Sequence, residues 1–448
     1  MLTATSKQFR LSGLLLGLLF LFGLAVNAAA LDSAQGYIME VLGNGDLRLE
    51  EGLLVKQIPA TSVVQGVEPY AGRLLVGMEA RITGELDSAA GILEAREVSV
   101  LTALEPEAAV EGSAVVEERR QGSDQIVLLA DGRRLLISNS IRLSPPDLKN
   151  LEALPQLDEI EPGMFVHYRG RLTPDGATRV EELAAWRNHL EEKEKELYEQ
   201  YQPDMLLPAR AGAGPAVLRI DKNRYPVVKN TELQLFADRL GTRLLPAFWR
   251  DPEAARRHGY NFWFMVVVHD RPQASAFPSG VVVIHTGLLR LAENEAQLAF
   301  VLAHEIAHVT QEHAWREYLY HRRKLLFLRW STAGLGYAVE SAIRRGYRRD
   351  LEEQADRLAL AYMSRAGYDP REGLKILRRL EQNQEGLSAL LWETHPGYGQ
   401  RRSALMKELT RYSAAGLNYG RLRRDSPEFV SFREKIPTRR IKKASVVD

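Results

Sequence analysis

The pentapeptide His304-Glu305-Ile306-Ala307-His308 lies inside a strongly apolar stretch with helical spacing, and it constrains the fold more than any other feature of the chain. Positions i and i+4 share a helix face, so both imidazoles can reach one ion. Glu305 flanks that face and can activate a water on the metal. A chain built around this motif needs a helix with an apolar stripe on one side and the histidines on another. Leu298, Leu302, Ile306 and Val309 supply the stripe, and Asn294 followed by Gln297 supplies a capping-box-like start. A catalytic zinc site also needs a third protein ligand and an open position.

One arrangement draws the third ligand from H-E-x-x-H-x-x-G-x-x-H. Here Gln311 and Ala314 occupy those positions, which excludes it. His313 falls one residue short and is expected to point elsewhere, as a polar neighbour. The other source is a carboxylate on a later helix. Glu352 and Asp356 are four apart and share a face, so one can ligate while the other holds a ligating histidine by its second ring nitrogen. On spacing alone the same pair could belong to a salt-bridged surface helix.

The surroundings of the motif read as an α+β unit. An amphipathic helix spans residues 232–245, and apolar strands span 262–268 and 281–285. Upstream, residues 34–186 are β-rich and carry an internal repeat. Gly77-Met78, Gly84 and Leu86 match Gly163-Met164, Gly170 and Leu172. Leu49 and Gly52 match Leu129 and Gly132, and Gly36 matches Gly112. The second copy carries an apparent insertion over 145–161. Two tandem small β modules follow, 34–104 and 109–186, resembling OB-like barrels in size and glycine punctuation. Neither shows the basic, aromatic-studded face of a single-strand binder, and the net charge of +1 gives no nucleic-acid footprint. Docking to an envelope or membrane-associated partner is the expected role of the modules.

Residues 187–215 read as a charged, solvated helix and a Pro/Gly linker, 216–415 as the metal-site domain and 416–448 as a basic tail. Residues 1–30 have the layout of a secretory signal. Lys7 and Arg10 precede an uncharged apolar run of about 16 residues, Leu11 to Val26, and small residues at Ala28 to Ala30 offer a cleavage site. The alternative is an uncleaved membrane anchor. With no cysteine in the chain, lipoprotein attachment, thiol catalysis and Cys-ligated zinc are excluded. A periplasmic location is expected. The apolar run at 325–339 is too short and polar to span a bilayer, and is expected to pack over the site or touch a membrane surface.

The H-E-x-x-H motif, followed about 45 residues later by Glu352-x-x-x-Asp356, resembles the gluzincin metallopeptidases of the CAAX-prenyl-protease and HtpX type, including their periplasmic BepA-like quality-control branch. The resemblance extends to His395-Pro396 with Arg401, and to Ser275-Ala276-Phe277 ahead of Thr286-Gly287-Leu288-Leu289. It covers 216–415, and the segment at Ser275 departs from the family by a shorter loop and Ser in place of Asn. It implies one Zn²⁺ per chain held by His304, His308 and Glu352, with Asp356 orienting a ligand from behind. It implies Glu305 as the base, and His395 with Arg401 at the oxyanion. Ser275, Ala276 and Phe277 would form an edge strand that grips extended peptide. The expected activity is zinc-dependent endopeptidase action on misfolded or envelope proteins. The competing expectation is a chaperone-like adaptor that keeps a zinc site and docks through its β modules.

Overall fold

The structure, a computed structural model, describes residues 32–64, 72–102, 107–144, 156–186, 192–207, 215–257, 261–325, 347–382 and 398–436. The signal-like segment, the apolar run from 326 onward, His395-Pro396 and the basic stretch at 438–443 lie outside the described residues.

Five strands close the first barrel: β1 (Asp32–Val41), β2 (Leu47–Leu49), β3 (Leu54–Val64), β4 (Glu79–Asp87) and β5 (Ile92–Val100). Their order is β1-β2-β3-β5-β4, with β4 returning to β1, and only the β3–β5 pair is parallel. The second barrel repeats this order with β6 (Ala109–Gln121), β7 (Gln125–Ala130), β8 (Arg133–Ser138), β9 (Phe165–Leu172) and β10 (Thr178–Trp186), where β8 and β10 are the parallel pair. Alternation fills each interior: Ala80 and Ile82 of β4 point inward in one, Val166 and Tyr168 of β9 in the other. The repeat has a backbone cause. Gly77 and Gly163 both hold φ +92°, a conformation costly for any side chain. Each glycine donates to the first strand of its barrel, at Ile38 O (2.7 Å) and Val116 O (2.8 Å).

The connector departs from expectation. Helix α1 (Glu192–Gln200) is not a solvated rod, because it buries Glu194, Leu197 and Tyr198, with Tyr201 following. A charged sequence hid a narrow apolar seam that packs against the later helices. Part of the expected linker is strand: β11 (Pro203–Leu206) pairs with β12 (Val217–Ile220), which pairs with β13 (Asn223–Pro226).

The C-terminal region is mainly helical around a small sheet, so the chain joins a β-rich half to a mixed half. Helix α2 (Thr231–Leu244) starts on Asn230, whose side chain accepts from Leu233 N at 3.1 Å. After α3 (Pro252–Arg257) come β14 (Trp263–Val267), the edge strand β15 (Ala274–Ala276) and the central β16 (Val281–His285). The sheet pairs β14 with β16 in parallel and β15 with β16 antiparallel. Then follow α4 (Thr286–Leu291), α5 (Glu295–Thr310), α6 (His313–Leu325), α7 (Arg349–Arg365), α8 (Arg371–Gln382) and α9 (Tyr398–Ala414). Residues 416–436, expected within a basic tail, carry α10 (Pro427–Lys435), whose Phe429 and Phe432 pack on Phe236 of α2.

Helix α5 begins as its sequence indicates, with Asn294 accepting from Gln297 N at 3.0 Å. It was expected to bury one stripe. Instead every residue but Val301 is buried, because α2, α7, α8 and the small sheet enclose it. Polar side chains on such a helix must find partners inside the protein.

Candidate metal centre

His304 and His308 stand one turn apart on α5, and their Nε2 atoms approach to 3.0 Å. Glu352 enters from the first turn of α7, fully buried, with its carboxylate oxygens 3.4 Å from His304 Nε2 and 3.6 Å from His308 Nε2. All three donor atoms lie within 4.8 Å of one another. A tetrahedral zinc ion with ligand bonds of about 2.0–2.2 Å sets its donors roughly 3.3–3.6 Å apart. The donor set and its spacing therefore fit a zinc-sized ion without rearrangement of the backbone.

Asp356, one turn beyond Glu352, accepts from His304 Nδ1 at 3.0 Å. That hydrogen bond leaves Nε2 facing the centre, the usual role of a carboxylate behind a ligating histidine. Burial opposes charging of His304, but hydrogen bonds to Asp356 and Glu352, with their negative charges, outweigh it and push the imidazole up to about 9. Burial would raise Asp356, but the Arg401 guanidinium holds it below the usual carboxylate range.

Arg401 was expected at the oxyanion. The structure has it buried on α9 with its guanidinium gripping Asp356 through Nε (2.7 Å) and Nη2. Its Nη2 also lies 3.5 Å from His304 Nδ1, so Arg401 backs the His304–Asp356 pair as a whole.

Glu305 faces the small sheet. Its Oε2 accepts from the backbone N of Ala276 at 2.7 Å, so the base is tied to edge strand β15. In the β15–β16 register, His285 N donates to Gln273 O and Phe277 N to Val281 O, so residues 273 and 277 turn their backbone groups toward β16. Alternation turns those of Ala274 and Ala276 outward, toward α5. Ala276 thus lies against Glu305, with Ser275 next to it in the edge strand. Phe277 does not serve as an exposed contact: its ring is buried against Tyr201 and Tyr225.

Gln354 and Tyr347 escaped the sequence reading, and His313, expected as a polar neighbour pointing elsewhere, is a polar neighbour that turns back to His308. His313 comes back to the centre because α5 stops at Thr310 and Glu312 adopts φ +53°, which reverses the chain. Its Nδ1 lies 2.8 Å from His308 Nδ1 and its Nε2 3.1 Å from Gln354 Oε1. Burial and the nearby Arg316 charge hold His313 well below the ordinary imidazole value, hence neutral. Tyr347 stacks on His308 with ring centroids 4.2 Å apart. Burial and then the charges of Glu305 and Glu352 push its phenol well above the usual value. The turn at Gln311-Glu312 contains no glycine or proline, so nothing in the sequence marked the break.

Two histidines of one helix and a glutamate from a second, with a further glutamate beside the first histidine, form a donor set of the kind that zinc hydrolases use. Residues 243–409 match the model of Peptidase family M48. Relatives of the chain include the putative beta-barrel assembly-enhancing protease of Vibrio cholerae, 32% identical over 184 residues, 37% of each chain. The beta-barrel assembly-enhancing protease of Escherichia coli K12 is 30% identical over 37% of this chain and 36% of its own. Bovine mitochondrial metalloendopeptidase OMA1 is 35% identical over 32% of each. The match spans about a third of the length of these relatives.

Proposed function

We propose that the protein is a zinc-dependent endopeptidase with one Zn²⁺ per chain, held by His304, His308 and Glu352. The convergence of these three buried donors, with Glu305 beside them and tied to an edge strand, carries the reading. Bound zinc would supply Lewis-acid polarisation of the scissile carbonyl and acidify the attacking water. Glu305 takes the proton from that water and returns it to the leaving amine. The Ala276 amide fixes one of its oxygens, which limits the rotation that proton transfer must overcome. On the outer edge of β15, Ala274 and the Ala276 carbonyl offer backbone groups to an extended peptide by strand addition, while Ser275 between them turns its own backbone groups to β16. Asp356, held by Arg401, keeps His304 oriented, and His395 is assigned to the oxyanion by the family resemblance alone.

Protein substrates of the cell envelope, misfolded chains among them, are the proposed targets. The names of the bacterial relatives and the signal-like leader support an exported, periplasmic protein. Among the described residues no helix is long and apolar enough to cross a membrane. The two barrels are proposed as OB-like, on the strength of their shared 1-2-3-5-4 order with strands 3 and 5 parallel.

The test pairs two measurements on purified protein: zinc per chain, and cleavage of an unfolded protein by the wild type and by Glu305→Gln. One zinc per chain with cleavage abolished in the variant is expected. Equal cleavage by the two proteins, or a wild type that takes up no zinc, refutes the reading. A protein that binds zinc, cleaves nothing and still suppresses aggregation would instead be the adaptor.

A further inference from the structure

The second barrel touches the metal centre from behind. Its β7–β8 connection is the two-residue turn Asp131-Gly132, with φ +57° and +69°, the geometry of a type I′ hairpin. The tip lies directly on α7: a Cβ built on Gly132 would stand 3.2 Å from both Cγ and O of Arg357. Asp131 is buried there. It accepts from Tyr168 Oη at 2.8 Å and from Arg357, with Arg133 3.8 Å away. It also accepts from Gln354 Nε2 at 2.8 Å.

Gln354 sits on α7 between Glu352 and Asp356, and all of its hydrogen-bonding capacity is used. Nε2 donates to Asp131 and to Ser113 O of β6 (3.0 Å), while Oε1 meets Arg316 Nη1 (2.6 Å) and His313 Nε2 (3.1 Å). A carboxylate only accepts and a guanidinium only donates, so the amide has one workable orientation. Its oxygen must then receive a proton from His313 Nε2. The 2.8 Å contact between His313 Nδ1 and His308 Nδ1 has room for one proton, and with His313 Nε2 already donating to Gln354 that proton sits on His308 Nδ1 when each ring carries one. His308 is thereby left with a bare Nε2, the atom that faces the metal position. Asp131 and Ser113 O at the barrel end, with Arg316 of α6 on the other side of the amide, set the direction of every bond in the chain Asp131–Gln354–His313–His308.

We propose that Asp131 is a positioning residue for the metal centre, and that the second barrel fixes the tautomer of the ligand His308 through Gln354 and His313. The first barrel has no equivalent: the matching corner carries Glu51, which pairs with Arg378 of α8 instead. The proposal rests on the metal reading above. It deepens that reading by making the β-rich half a working part of the site rather than an appendage.

The test uses the full-length protein and zinc itself as probe, with the dissociation constant measured by competition against a chelator. Gln354→Met keeps the volume of the side chain and leaves the Asp131 bonds to Tyr168 and Arg357 in place. It is expected to weaken zinc binding roughly tenfold or more. Asp131→Asn, which can still offer an oxygen to Gln354, is expected to stay within about threefold of wild type, whereas Asp131→Leu falls with Gln354→Met. A nitrogen-15 NMR spectrum of the zinc-loaded wild type provides a readout that needs no variant. His308 should carry its proton on Nδ1 and His313 on Nε2. The opposite tautomer at His313 overturns the proposal, as does wild-type zinc affinity in folded Gln354→Met. A wild type that takes up no zinc at all would remove the metal reading and the relay together, so the two failures are distinguishable.

Discussion

At the end of β16, His285 stacks on His269 with ring centroids 4.5 Å apart, and its imidazole is almost wholly buried. Burial, with His269 and Arg271 nearby, pushes it down to about 3. The folded protein therefore keeps His285 neutral, while the unfolded chain takes up a proton below about pH 6.5. Stability from this residue is complete above that value and is lost as the pH falls toward 3. Between pH 7 and 5 the loss is about 2 kcal/mol. Denaturant unfolding at the two pH values should show it in the wild type, and His285→Phe should show a correspondingly flatter dependence. Arg401 gives a second expectation at this scale. Arg401→Met strands a buried carboxylate at Asp356, which costs about 3–5 kcal/mol. It should also lower zinc affinity roughly tenfold through the loosened His304. If Arg401 acted only on an oxyanion, turnover would fall and zinc affinity would hold, so a chelator titration separates the two roles.

Helix α5 and strand β15 meet at one hydrogen bond, from Ala276 N to Glu305. Ala276→Pro deletes that donor at an edge strand, where proline is tolerated. Zinc affinity should survive, because no ligand touches Ala276. The turnover number should drop by roughly a hundredfold as the base loses its anchor, and kinetics on a peptide substrate read both quantities. Much of this element-level arrangement was legible in advance. Helical periodicity put His304 and His308 on one face, and the Asn294–Gln297 start was readable from local chemistry alone. Spacing left open which of Glu352 and Asp356 would be the ligand, and only the family pattern chose Glu352. His313 was legible as a polar neighbour, but its return to His308 was not, because a left-handed glutamate makes the turn. The ion pair of Arg401 with Asp356 was not legible either, because sequence shows which residues recur together and not which of them touch. Charge misled for α1, whose few apolar residues are the ones that decide its burial.

The two halves of the molecule share one core. Met39, Val76, Val115 and Phe165 of the barrels belong to the same apolar cluster as Phe300 and Leu358 of the helices. Polar bonds cross the same boundary: Arg365 to Glu117 at 2.7 Å, Arg371 Nη1 to Met39 O at 2.9 Å, and Arg402 to Glu50. A fragment of residues 187–448 would leave those arginines and that apolar surface uncovered. It is expected to aggregate, or to melt several degrees below the full chain. A monodisperse fragment with an unchanged melting temperature would contradict the shared core. The duplicated barrel has a consequence for anyone who wishes to alter the protein. Gly176, in the β9–β10 hairpin of the second copy, is pressed against Arg411 of α9, whereas a side chain at Gly91, in the matching hairpin of the first, would meet nothing within 4 Å. The two copies of this hairpin are thus under different constraints, one packed on a helix and the other facing open space. The β4–β5 hairpin is therefore the place where an inserted tag or fluorophore would leave catalysis undisturbed.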